Sequence, residues 1–166
     1  MKRGFSMIEL IFVIVILGIL ASVALPKLAA TRDDATASGI KSDVGTIIQA
    51  TPALYVSQKI PSITQAVPSL STSSWVITSE YEVATKIMDK SSSGTTECIT
   101  IRIEEGNNSG AYGNLWDGTP TNANAPYPVL NVEIVDISGA TGACETLINM
   151  GVRDQNISMQ GLSIAW

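Results

Sequence analysis

The 166 residues contain no histidine, the side chain that most readily trades protons or binds a metal near neutral pH. Cysteine is scarce as well: Cys98 and Cys144 are alone, and no Cys-x-x-Cys pair exists to make a local redox motif. There is no Gly-rich phosphate loop. The acids that fall close together, Asp33-Asp34, Glu80/Glu82 and Glu104-Glu105, read as solvated charges on their elements rather than as a convergent acid pair. Positive charge is short too, with 10 Lys and Arg against 15 Asp and Glu for a net charge of −5. Such a surface repels phosphate backbones and argues against direct nucleic-acid binding by the isolated chain. These absences point away from an enzyme and towards a mechanical or binding role.

One further absence is local. After Lys2-Arg3 no basic residue occurs until Lys27, while the chain runs Gly4-Phe5-Ser6-Met7-Ile8-Glu9 and then through an apolar stretch from Leu10 to Leu25, followed by Pro26. Phe5 to Leu25 would make an α-helix about 31 Å long, close to the hydrocarbon thickness of a bilayer. Glu9 is out of place there, because a carboxylate in a membrane helix costs roughly 2.5–3.5 kcal/mol at mid-bilayer, and less towards an end. Lys2 and Arg3 lie seven and six positions away, off the three- and four-residue spacing that brings helix side chains together. The missing cation must come from elsewhere.

Lys-Arg-Gly followed by Phe-Ser-Met-Ile-Glu and an apolar helix resembles the leader of type IV prepilins and type II secretion pseudopilins. The resemblance covers about the first thirty residues, and Pro26 falls where such helices often carry a proline. It implies cleavage between Gly4 and Phe5 by an inner-membrane prepilin peptidase and methylation of the new amine on Phe5. It also implies that Glu9 meets the N-terminal amine of a neighbouring subunit during filament assembly. The four-residue leader is short for the family, and Ser6 and Met7 stand where Thr and Leu are commoner.

Two other readings start from the same residues. Lys2-Arg3 with Ser22-Val23-Ala24 has the look of a secretory signal peptide, and the whole stretch could act as a plain signal anchor. An acid four residues after Phe5, at the head of the apolar helix, is what a signal peptide avoids. All three readings export the chain, and the positive-inside rule leaves Lys2-Arg3 in the cytoplasm. The expected organisation is therefore a leader over 1–4, a transmembrane and filament-core helix over 5–26, and an extracytoplasmic globular domain over 27–166. The domain would lie in the periplasm or on the cell surface.

Beyond Pro26 the pattern becomes amphipathic. Ile40, Val44, Ile47, Ile48, Leu54 and Tyr55 recur at three- and four-residue steps among Arg32, Asp33, Asp34, Lys41 and Asp43. This predicts a helix continuing to about Ser57, roughly 80 Å from Phe5, with kinks or breaks at Pro26 and Pro52. Gly18 lies inside it, either to let helices approach closely or as simple tolerance in a membrane helix. A Pro/Ser/Thr-rich connector spans 60–74. Glu80 to Asp89 is expected as a short helix capped by Ser79, with Val83, Ile87 and Met88 inward.

Strands are expected at Cys98–Ile103 and Val129–Val135, where apolar and polar residues alternate, with a closing strand carrying Ile157, Met159, Leu162 and Ile164. Together these elements predict an α+β fold: a long N-terminal helix, half membrane-spanning and half amphipathic, packed on a small antiparallel sheet. Between the two main strands, 106–128 is a long loop with Tyr112, Trp116 and Tyr127, read either as a contact loop or as a self-packed cover.

In an oxidising compartment Cys98 and Cys144 read as a disulfide in preference to two buried thiols. Closing about 47 residues would stabilise the fold by about 4 kcal/mol on the chain-entropy model. Asn107-Asn108-Ser109 and Asn156-Ile157-Ser158 are glycosylation-acceptor triplets. Each has an acid two residues earlier, Glu105 and Asp154, as in the longer acceptor of bacterial N-glycosylation systems. No metal cage or other cofactor site is evident. Resemblance to major pseudopilins implies calcium in a late loop, with Asp117 and the oxygens of Asn107, Asn114 or Asn122 as candidates, although the ordered spacing of an oxygen cage is missing.

The function expected from these features is a filament subunit of a type II secretion pseudopilus or a type IV pilus. Its partners would be other pilin-like subunits, the prepilin peptidase and the inner-membrane platform. The alternatives are a competence pseudopilin, or an exported adhesin using Tyr112 and Trp116 to recognise a ligand.

Overall fold

A computed structural model describes residues 6–59, 61–88, 95–106, 115–116, 127–135 and 142–159. Its first element, α1 (Met7–Gln58), is a single 52-residue helix. At 1.5 Å per residue it is about 78 Å long. The breaks expected at Pro26 and Pro52 do not occur, and neither proline divides the helix. Lost N–H donors remove one ladder bond each and leave the neighbouring bonds intact. The helix ends at Lys59, which takes a left-handed φ of 60° and donates its N–H to the Tyr55 carbonyl at 2.8 Å. Its ammonium lies 5.1 Å from the centre of the Tyr55 ring, a cation–π contact that helps hold a conformation uncommon outside glycine.

The 60–74 connector is more ordered than its composition suggested. Ser62 caps α2 (Ile63–Ala66) by accepting the Gln65 N–H at 3.2 Å, and Ile63, Val67 and Leu70 are buried. Next come β1 (Trp75–Ile77), β2 (Glu82–Thr85), β3 (Ile87–Met88) and β4 (Thr95–Thr96), then β5 (Ile99–Gly106), β6 (Tyr127–Ile134), α3 (Ala143–Asn149) and β7 (Gln155–Ser158). The main sheet is antiparallel in the order β1-β2-β5-β6-β7, and β3 and β4 pair separately.

The helix expected over Glu80 to Asp89 is therefore replaced by strands β2 and β3. Val83 pairs with Ile101 and is fully buried. Ser79 accepts the Tyr81 N–H at 3.1 Å in a turn instead of capping a helix. The β-branched residues Val83, Thr85 and Ile87 fall at period two, and pairing with the neighbouring strands outweighs local helix propensity.

The two main strands form where expected and extend further into the presumed loop: β5 reaches Gly106 and β6 starts at Tyr127. Ile99, Ile101 and Ile103 lie opposite Ile134, Val132 and Leu130 on the inner face. The core joins this face to α1 through Ala37, Ile40, Val44 and Ile47, and it includes Trp75, Trp116, Leu147 and Met159. The architecture is α+β and pilin-like. In the closing strand Ile157 pairs with Leu130, and Met159 is fully buried just beyond it; Leu162 and Ile164 lie outside the described residues.

Helix α3 gives no strong sequence signal; its buried Ala143, Cys144 and Leu147 pack into the core, and charge and a covalent link add to that placement. Near its N-terminal end the Thr146 hydroxyl donates to Asp34 Oδ1 at 3.4 Å, and a Cβ at Gly142 (φ 65°) would come within 3.3 Å of Asp33 Oδ2. At its C-terminal end Lys41 Nζ donates to the Met150 carbonyl at 2.8 Å. Acids at the positive end of the helix dipole and a cation at the negative end both favour this placement. Asp33 and Asp34, read from sequence as solvated charges, thus face a packed helix.

Candidate functional site

The site is the first half of α1. Ser6 is its N-cap, with extended backbone angles, and its Oγ accepts the Ile8 N–H at 3.2 Å. Glu9 reaches back so that its Oε2 accepts the Ser6 N–H at 3.0 Å. This is a capping box, in which two helix-end N–H groups that would otherwise go unmet are satisfied by side chains. The sequence reading missed it, although Ser6-x-x-Glu9 is the signature that could have revealed it. Among the described residues Glu9 has one partner, the neutral Ser6 N–H.

From Met7 to Leu25 the helix is 19 residues long and apolar enough to cross a membrane, and none of it is buried. Every large apolar side chain in this stretch, from Met7 and Ile8 to Val23 and Leu25, is exposed. A Cβ at Gly18 would meet nothing within 4 Å. A soluble core helix would have found a partner, because exposed apolar patches of this extent mark a lipid or protein interface. Within this stretch no basic side chain is available to Glu9.

The N-terminal residues also match a known family model. Residues 1–25 match the model of the prokaryotic N-terminal methylation motif. The chain carries the type IV pilin and pseudopilin signature. No curated protein and no solved structure matches the chain. The pilin-type motif implies processing by prepilin peptidase and assembly with pilin-like subunits, and it points to a structural subunit, not an enzyme family. With one apolar N-terminal helix, it fits a single-pass inner-membrane anchor.

The other sequence-predicted residues are scattered. Gly4 and Phe5, the cleavage and methylation positions, lie outside the described residues, as do Asn107, Asn114, Asp117 and Asn122 of the calcium reading and Tyr112 of the adhesin reading. Trp116 is 5% exposed and belongs to the core, so it is not a surface aromatic free to recognise a ligand. Cys98 and Cys144 form a disulfide with Cα atoms 5.8 Å apart. It ties the residue before β5 to α3. The hydroxyl of buried Thr85 accepts the N–H groups of both Cys98 and Ile99 at 2.9 Å, which fixes the sheet end of that link.

Glu104 and Glu105 are not the solvated pair expected. Both are buried, Glu105 on the inner face beside Pro128 and Glu104 on the outer face near Arg102. Burial raises the pKa of Glu104; the Arg102 guanidinium, 3.8 Å away, pulls it back, and Glu133 adds a smaller upward push. Arg102 also holds Glu133 at 3.1 Å. One guanidinium thus stands between two carboxylates on the outer face.

Proposed function

We propose that this chain is a structural subunit of a type II secretion pseudopilus or a type IV pilus-like filament. In this reading it is cut between Gly4 and Phe5, methylated on Phe5, and held by α1 in the inner membrane with 27–166 on the extracytoplasmic side. The observation that carries the reading is a methylation motif whose helix is exposed along all 19 apolar residues and bears one carboxylate in its first turn. In a filament, neighbouring copies replace lipid around that helix. The N-terminal amine of the next subunit supplies the positive charge that the capping box does not.

Glu9→Ala tests this. Membrane insertion should be unchanged or improved, because removing a carboxylate lowers the cost of entering lipid, while filaments recovered by shearing should be lost. Unchanged assembly would overturn the role of Glu9. Replacing Gly4 with a bulky residue should leave the leader attached, read as the mass of the intact chain.

A further inference from the structure

We infer that Asn156 is an N-glycosylation site, modified by transfer of an oligosaccharide from a polyprenyl-diphosphate donor. The inference rests on the extracytoplasmic placement of the domain proposed above. The acceptor requirement is an Asn with Ser or Thr two residues on, met by Asn156-Ile157-Ser158, with Asp154 two residues before.

The fold presents this segment favourably. Asn156 is exposed on β7, the edge strand, whose only sheet neighbour among the described residues is β6. Strand alternation puts Asn156 and Ser158 on the outer face, away from the core, while Ile157 between them turns inward to pair with Leu130. An edge strand yields its ladder on one side only, so it can lift towards an enzyme at less cost than a central strand.

The Asn156 amide is held through its oxygen. Asn131 Nδ2 donates to Asn156 Oδ1 at 2.8 Å. Two facing amides could exchange two bonds, yet Asn131 Oδ1 is buried with no donor. The reciprocal bond from Asn156 Nδ2 to Asn131 Oδ1 is not made, and Asn156 as a residue is exposed. Asn156 Nδ2 is the nucleophile of the transfer: a bond forms between Nδ2 and the anomeric carbon of the sugar, the bond from that carbon to the diphosphate oxygen breaks, and the proton lost from Nδ2 is taken up by the departing diphosphate. The polyprenyl diphosphate leaves with the electron pair. Asp154 accepts the Ile134 N–H at 2.6 Å, a tie just ahead of the acceptor that has to open when the strand lifts.

The test is peptide mass spectrometry on the full chain purified from its native cells. The peptide containing Asn156 should carry added mass equal to a whole number of sugar residues. The addition should disappear in Asn156→Gln and in Ser158→Ala and persist in Ser158→Thr. An unmodified peptide in the native protein, or a mass addition that survives Asn156→Gln, would overturn the proposal. Protease accessibility of the domain in spheroplasts is measured alongside. An accessible but unmodified domain defeats the glycan alone, whereas a protected domain defeats the placement on which it rests.

Discussion

The two halves of α1 are both rich in apolar residues and meet opposite fates. From Met7 to Leu25 apolar side chains cover the whole circumference and none is buried. From Ala37 to Thr51 only one stripe is apolar, and Ala37, Ile40, Val44, Ile47 and Thr51, at alternating steps of three and four, are all buried. Hydrophobic content alone would rank the first half as the better core element. Patterning reverses the order, because a stripe can be satisfied by one sheet within the chain, whereas a fully apolar cylinder needs neighbours on every side. A single helix thus carries an interface for this domain and an interface for something outside it.

The sharpest way to break this comparison is to cut the link that holds the packed half in place. Replacing both Cys98 and Cys144 with Ser should cost about 4 kcal/mol of domain stability on the chain-entropy model, measured by denaturant unfolding in detergent. Amide exchange should speed up around Ala37–Thr51 and stay unchanged over Met7–Leu25. Equal loosening of both halves would show that they do not behave as separate units.

A matched pair of truncations should sharpen it. Ile47→Ala opens a cavity in the core and should cost about 2–5 kcal/mol, whereas Ile14→Ala should leave domain unfolding within about 0.5 kcal/mol. Ile14 would matter only for assembly, so filament yield is the second readout.

The smallest expected effect concerns pH. Glu104 has a raised pKa in the folded state, so over the window from its ordinary value up to the folded value the folded chain holds a proton that the unfolded chain has released. Stability contributed by this group therefore falls as pH rises through that window. Glu104→Gln should flatten the slope and stabilise the domain slightly at neutral pH relative to pH 4, while leaving the membrane half untouched.

How much of this was legible in the sequence follows from the range of the interactions involved. The apolar run, the three-four stripe and the alternation of Ile99, Ile101 and Ile103 are local repeats, and each became the element it predicted. The helix expected at Glu80 to Asp89 failed because the fate of Val83 and Thr85 depends on β1 and β5, which no local window contains. Trp116 reads as an exposed loop aromatic, but its segment lies beside β5, where its backbone N–H donates to the Ile103 carbonyl at 2.9 Å. For the site itself, the oddity of Glu9 is plain in the sequence, and its capping bond to Ser6 is carried by the local Ser-x-x-Glu spacing.

The bond between Cys98 and Cys144 also sets a route for force. A pull along α1 that would peel the rod from its domain reaches α3 through Lys41 and Asp34, and α3 is shackled covalently to the head of a central strand. The disulfide keeps α3 joined to the sheet even where the polar ties between α3 and the rod are broken.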